Sequence, residues 1–161
     1  MTHQDNGPEY AKNPAAFVVE FVENPDFEQL PEKITAAFAF VMNDDKSLLV
    51  MQNERGWDIP GGHMEGDESV VQAAHREVLE EACVEIDDVA PFAVIKNDST
   101  AMAIFTARPQ KINTFIPDPT DPTSNRRFMN AIEFTKAYSG GDKKTMGILI
   151  DELVARGMLA P

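Results

Sequence analysis

Three glutamates, Glu77, Glu80 and Glu81, lie in a stretch from about Glu68 to Ala82 whose apolar residues recur at helical spacing. At about 100° per residue, with Glu77 at zero, Glu80 falls near about −60° and Glu81 near about +40°. The carboxylates therefore share an arc of about 100°, with Arg76 at its edge. Val71, His75, Val78, Leu79 and Ala82 fall on the far side, which predicts a buried apolar face there. Ala73 and Ala74, one turn earlier, leave the charged face uncluttered. An acidic helix face is often no more than solvated surface. Two features argue for chemistry instead. Like charges at i,i+3 and i,i+4 repel, and no lysine stands nearby to relieve them. The helix also follows a loop containing Gly56, Pro60, Gly61, Gly62 and Gly66, whose backbone can approach a ligand closely. Hard oxygen ligands beside such a loop suit Mg²⁺ or Mn²⁺, which take carboxylates together with phosphate oxygens and water.

The elements that must position this segment can be read on either side of it. Phe17 to Val22 has strand composition, interrupted afterwards by Pro25 and Pro31. Ile34 to Met42 and Ser47 to Met51 read as two buried strands joined by the polar turn Asn43-Asp44-Asp45-Lys46. Asn53 to Gly66 reads as a loop, with Asp67 as the expected N-cap and Glu68 near the positive end of the helix dipole. Phe92–Ile95 and Ala101–Ala107 read as strands, and Asn113–Asn125, with Pro117, Pro119 and Pro122, as a loop. Residues 130–138 and 143–156 read as helices, the second with an apolar stripe of Ile148, Leu149, Leu153 and Val154. Strands around a central helix, with more helix at the end, predict an α/β (α+β) fold: a mixed sheet sandwiched between helices. Residues 1–33 form a connecting segment of the same domain, and residues 34–161 its body.

Composition narrows the partners. A net charge of −13, from 27 acidic and 14 basic residues, repels nucleic acid and anionic membranes. A small anion can still bind where cations reverse the local sign. No apolar run approaches the ~20 residues of a membrane span. Met1 to Tyr10 is polar and lacks the layout of a secretory signal. A single cysteine, Cys83, leaves no intrachain disulfide and fits a reducing compartment, so a cytoplasmic setting is expected.

Gly62, five residues, Glu68, seven residues, then Arg76-Glu77-Val78-Leu79-Glu80-Glu81-Ala82-Cys83-Val84 resembles the box of the Nudix hydrolases, G-x5-E-x7-R-E-U-x-E-E-x-G-U with U aliphatic. Trp57-Asp58-Ile59-Pro60-Gly61-Gly62 is similar to the segment that leads into that box. Cys83 departs from the pattern, standing where the family usually has a helix-closing glycine. A small buried residue is the plain reading of it, and a redox role the less favoured one. The resemblance implies metal-binding roles for Glu77, Glu80 and Glu81 and for the Gly61 carbonyl. It implies that Arg76 steadies the carboxylates and that Glu68 ties loop to helix. It implies a Mg²⁺- or Mn²⁺-dependent attack of water on a nucleoside diphosphate linked to another group, with Glu77 or Glu81 as general base. A carboxylate from a distant loop is the other option for the base, with Asp118, Asp121 and Glu133 as candidates.

Arg55, Trp57, His63, Arg126 and Arg127 are the candidate substrate contacts, each with a plainer alternative as surface charge, loop support or packing. Phe115, Phe128 and Phe134 could stack a base or simply fill core. His75 falls on the side expected to be buried. The secondary motifs of NADH, coenzyme A, ADP-ribose and dinucleoside polyphosphate hydrolases are missing, which leaves a nucleoside triphosphate or oxidised-nucleotide pyrophosphatase by elimination. The alternative is a silent nucleotide sensor or interaction module. Such domains usually lose box carboxylates, whereas this chain keeps them all. The expected partner is a small nucleotide, and a homodimer stays open.

Overall fold

The computed structural model describes residues 17–23, 26–27, 30–31, 33–117 and 123–161. Two sheets carry the architecture. Strand β1 (Val18–Phe21) lies at one edge of a five-stranded sheet, followed in space by β6 (Val84–Lys96), β7 (Ala101–Ile112), β2 (Ala36–Val41) and β5 (Gly61–His63). Only the β2–β7 pair is parallel; the rest are antiparallel, which makes the sheet mixed. A three-stranded antiparallel sheet orders β4 (Gly56–Asp58), β3 (Leu48–Asn53) and β8 (Asn125–Met129). The helices are α1 (Val70–Ala82), α2 (Ala131–Ala137) and α3 (Lys143–Ala155).

Strand β2 explains its unbroken apolar run, because both of its faces are buried. Ala37 and Ala39 face the α1 side, where Ala73, Ala74, Val78 and Ala82 pack. Ala36 and Phe40 face the opposite core, which holds Leu48, Val50, Phe92, Phe134, Leu149 and Leu153. Small residues on β2 and α1 let that helix lie close to the sheet, while the large side chains fill the other layer. The sheet is thus sandwiched between helices, as the sequence predicts.

Several local expectations need correction. The turn at 43–47 closes as expected, with the Asn43 N–H donating to the Ser47 carbonyl, but β2 and β3 part into different sheets beyond the single Met42–Leu48 bridge. The segment 53–66 is not only loop, since β4 and β5 form within it. The strands at 92–95 and 101–107 are the inner parts of a hairpin reaching Val84 and Ile112; its outer part carries Asp87, Asp88 and Arg108, pairs across irregular register, and still buries Val84 and Ile86 against the α1 side. The polar strand β8 has no apolar run to announce it and forms by pairing with β3. In α3, Ile148 is exposed, and the buried stripe is Thr145, Met146, Leu149, Ile150 and Leu153.

Helix α1 starts two residues later than its charge pattern suggests. Ser69, not Asp67, is the N-cap: its hydroxyl accepts from the Gln72 N–H at 3.2 Å, and the Gln72 side chain accepts from the Ser69 N–H at 2.8 Å. This reciprocal box fixes the first turn and leaves Glu68 outside the helix. At the other end Cys83 takes a left-handed conformation, φ 56°, and its N–H reaches the Leu79 carbonyl at 3.0 Å. Cys83 is only partly buried, with its Sγ against the Ile116 backbone. The Arg126 guanidinium then caps the helix, donating to the carbonyls of Ala82 at 2.7 Å, Cys83 at 3.3 Å and Asn113 at 2.6 Å. A cation on the terminal carbonyls complements the helix dipole.

A left-handed cysteine costs about 1 kcal/mol relative to glycine, and a β-branched residue costs more. Cys83→Gly is therefore expected to raise stability by up to about 1 kcal/mol, a gain of roughly 2–4 °C in melting temperature. Cys83→Val is expected to lower it. A thermal melt of the three proteins checks the order Gly, Cys, Val; any other order means that the thiol contacts outweigh the backbone strain.

Candidate active site

The face of α1 that packs inward is not the one marked by helical spacing. Ala73, Ala74, Glu77, Val78, Glu81 and Ala82 are buried, while His75 and Leu79 are exposed. Ala73 and Ala74 are packing residues, not a cleared border, and His75 is not a core histidine. The reason is strand β5, which lies over the acidic side of the helix and closes it from water. Glu77 and Glu81 are consequently 8% and 6% exposed.

Backbone geometry makes that crossing fit. Gly61 donates its N–H to a Glu81 carboxylate oxygen at 2.8 Å. A Cβ at Gly62 would stand 2.6 Å from a Glu77 oxygen, so only glycine lets strand and carboxylate approach this closely. Arg76 holds the remaining side. Its Nε and Nη2 grip the two oxygens of Glu68 at 2.9 and 2.7 Å, while Nη1 reaches Glu77 at 3.0 Å and Glu80 at 3.1 Å. Nη2 also donates to the His63 carbonyl at 3.1 Å, which ties β5 to the helix. Glu68 accepts the Glu65 N–H at 2.8 Å as well. One guanidinium thus links the loop, the strand and three glutamates, a role suited to its planar five-donor fork.

The protonation of these groups follows from their neighbours. The Arg76 guanidinium, hydrogen-bonded to Glu68, holds that carboxyl down to about 2. Burial pushes the Glu77 carboxyl up, opposed by its hydrogen bond with Glu81 and by Arg76. Two desolvated carboxylates in contact favour a cation offered between them.

The donor set fits such a cation. Among the described residues no three His, Cys, Asp or Glu side chains are grouped as a ready-made cage, and Glu80 is hydrogen-bonded to Arg76. Mg²⁺ needs no complete protein cage: one or two carboxylates suffice when phosphate and water complete its shell. Glu77 and Glu81 would be those carboxylates, with Glu80 and the Gly61 carbonyl beside them.

The other candidates divide. Arg55 and His63, both exposed, border an opening of about 230 Å³ that also meets Gly61, Gly62 and Glu81. Trp57 is half-buried against the main core, with the Arg127 guanidinium 6.0 Å from its ring centre, so these two brace each other away from the carboxylates. Arg126 is spent on helix carbonyls and on the Phe115 ring at 5.7 Å, which replaces the expected phosphate clamp by a structural cap. Phe134 is fully buried, so it cannot stack a base. Phe128 is half-buried and packs against the α1-side core. Glu133 is exposed in the first turn of α2, apart from the opening. Asp118 and Asp121 lie outside the described residues.

Asp58 is the residue that sequence reasoning passed over. It stands at the end of β4, borders the same opening, and accepts the Ile59 N–H at 2.7 Å. Burial pushes its carboxyl up to about 6, against the pull of that N–H and of the Arg55 charge. Its only signal in the sequence is an acid placed directly before the buried Ile59-Pro60. Because the folded value lies above the unfolded one, about 3.9, the native state holds the proton more tightly between those two pH values. The charged form therefore costs stability as pH rises from about 4 to about 6, on the order of 2 kcal/mol when complete. Asp58→Asn is expected to be more stable than the parent at pH 8 by roughly that amount, and to lose the advantage near pH 4. Urea denaturation at both pH values decides it; a gap that does not close at low pH rejects a desolvated carboxylate.

Residues 32–141, more than half of the chain, match the NUDIX domain model. Over 47 residues the chain is 40% identical to a Bacillus subtilis (strain 168) protein named "Putative 8-oxo-dGTP diphosphatase". That match covers 28% of this chain and only about a third, 32%, of the relative's length. The fold is similar to that of a Bacillus subtilis pyrophosphohydrolase, BsRppH, with TM-score 0.66, 16% identity, and coverage of 88% of this chain and 92% of the other. It is also similar to a Streptococcus suis ADP-ribose pyrophosphatase, with TM-score 0.55, 19% identity, and coverage of 76% and 92%. With its box intact at the buried carboxylates and the family model spanning most of the sheet, the chain belongs to the Nudix family of hydrolases.

Proposed function

We propose that the protein hydrolyses a phosphoric anhydride bond in a nucleoside diphosphate linked to another group, with a nucleoside triphosphate or an oxidised nucleotide as the substrate class. The observation that carries this reading is the pair Glu77 and Glu81, buried beneath the Gly61-Gly62 strand, with Glu81 lining a cleft. Burying two carboxylates without dedicated cations is costly, and the cost is tolerable where a bound cation offsets it. Mg²⁺ or Mn²⁺, when bound, supplies charge neutralisation for phosphate oxygens and acidifies water.

The chain's own groups do the rest. Glu77 and Glu81 would hold and orient the metal, and either carboxylate, where not engaged by the cation, would accept a proton from the attacking water. Arg76 keeps the carboxylates aligned through Glu68 and the His63 carbonyl, and takes no part in the bond change. Arg55 and His63, at the rim, are placed to meet the phosphates of an incoming nucleotide.

A panel of nucleoside triphosphates, oxidised nucleotides, ADP-ribose and dinucleotides, with Mg²⁺ or Mn²⁺ present or chelated, is the direct test. Turnover is expected only with metal, and Glu81→Gln and Glu77→Gln should each lower kcat by at least about 10²-fold, as loss of a group active in the transition state does. Glu133→Gln should leave kcat within about threefold, since that side chain stands apart from the opening. Tight nucleotide binding without turnover on any substrate would overturn the enzymatic reading in favour of a sensor.

A further inference from the structure

Of the six arginines in this chain, five have an engaged guanidinium among the described residues. Arg76, Arg126 and Arg127 are committed as described above, Arg108 pairs with Asp44, and Arg156 pairs with Glu152. Arg55 is the exception. Its backbone N–H donates to the Asn53 side chain at 2.9 Å, but no described residue hydrogen-bonds or ion-pairs with its guanidinium. A long cationic side chain left exposed in the β3–β4 turn can be drawn either inward or toward a ligand.

The inward pull comes from Asp58. Both residues border the carboxylate opening and a second cavity of about 300 Å³ that adjoins it. Asp58 is fixed by the Ile59 N–H at 2.7 Å and by the pairing of β4 with Met51, whereas Arg55 is free to swing. The two attract each other without forming an ion pair, and the Arg55 charge opposes the burial that raises the Asp58 carboxyl. The other ionisable groups around these two spaces are Glu81, His63, Tyr138 and Asp142. Glu81 accepts the Gly61 N–H, Asp142 caps α3, and Tyr138 packs on the Phe134 ring. Glu54 and His63 are exposed. Arg55 is therefore the one permanent cation bordering either space among the described residues.

We propose that Asp58 is a positioning residue that acts through Arg55: its carboxylate competes with an anion in the cleft for the guanidinium, so that the anion enters together with a proton on Asp58. This rests on the reading above that the substrate's phosphates meet Arg55. With Asp58 ionised, the guanidinium is drawn toward it and away from the phosphates. A phosphate that takes the guanidinium leaves Asp58 as a desolvated carboxylate without its counter-charge, and the carboxylate then takes a proton from solvent. Anion and proton thus favour each other's binding, and the coupling is reciprocal. Because Asp58 in the free protein ionises near about 6, capture of the anion weakens as pH rises above that value. When the anionic product leaves, Arg55 returns to Asp58 and the proton is released.

Calorimetric titration of imidodiphosphate, a pyrophosphate analogue with a P–N–P bridge, into the full chain with Mg²⁺ tests this without turnover. At pH 8 Asp58→Asn should bind it at least about fivefold tighter than the parent, and at pH 5 the two should agree within about twofold. The charge of His63 is common to both proteins and cancels in this comparison. In buffers of different protonation enthalpy, the parent should take up more protons on binding near pH 7 than Asp58→Asn does. Asp58→Glu, which restores the charge, should return the weaker binding at pH 8. Arg55→Gln should weaken binding at both pH values, and Asp58→Asn added to it should change affinity by less than about twofold. A gain from Asp58→Asn that persists without Arg55 means that Asp58 merely repels the anion, and it overturns the proposal. Equal affinities of parent and Asp58→Asn at pH 8, or no binding by any of these proteins, overturn it as well. Where a nucleotide is turned over, Asp58→Asn should lower KM at pH 8 more than it changes kcat. Turnover without the coupling sinks this inference and keeps the function. The coupling without turnover sinks the function and keeps Asp58 as the group that positions Arg55.

Discussion

Desolvated negative charge under a strand is the condition that shapes the rest of this molecule. Glu77 and Glu81 are nearly buried, and an unpaired buried carboxylate is expensive. Arg76 makes the arrangement tolerable by distributing one delocalised charge among Glu68, Glu77 and Glu80 and by donating to the His63 carbonyl. Its own proton is held more firmly than usual by these partners, with Glu68 foremost. Glu68 lies outside the helix, where both Nε and Nη2 reach it, and the Ser69–Gln72 capping box is what starts the helix late enough to allow it. The position of one cap thus determines the geometry of the carboxylate cluster.

The same logic extends to the far end of α1. Cys83 bends the chain into the left-handed region, and Arg126 from β8 closes the last carbonyls. Because β8 pairs with β3, and β3 with β4, this contact joins the small sheet to the helix that bears the carboxylates. At the opposite edge of the site, β5 pairs with β2, which in turn pairs with β7 in the large sheet. The helix is therefore held by one sheet at its C-terminus and by the other along its acidic side. Preorganisation of this kind is what a site of sub-ångström tolerance requires.

Much of this was legible in the sequence because spacing is geometry. Glu77, Glu80 and Glu81 at i, i+3 and i+4, with Gly61 and Gly62 upstream, identify the cluster and its loop without any structure. The apolar runs of β2 and β3 identify buried strands. The direction of α1 was not legible. Hydrophobic patterning assumes that charge faces water, and here the protein's own strand β5 replaces water. His75 and Leu79 were consequently assigned to the wrong side. Strand β8 and the outer parts of β6 and β7 escaped for a related reason: Arg126, Asp87 and Arg108 have no strand propensity, and pairing with a neighbour decides their conformation. The role of Arg126 depends on carbonyls 43 and 44 residues away along the chain, which periodicity cannot reveal.

Asp58 shows where such reading stops and the physics of cavities begins. Nothing about its spacing separates it from a solvated loop acid. Its meaning comes from walls supplied by β6, β7 and α3, which share no local pattern with it. Those walls draw it partly out of water and raise its proton affinity, against the pull of the Ile59 N–H. A fold selected only for stability would replace this residue with one that buries at less cost. Glu77 and Asp58 therefore share one physical condition: the packed chain withdraws each carboxyl from water, and that withdrawal raises its proton affinity against the pull of the donors beside it.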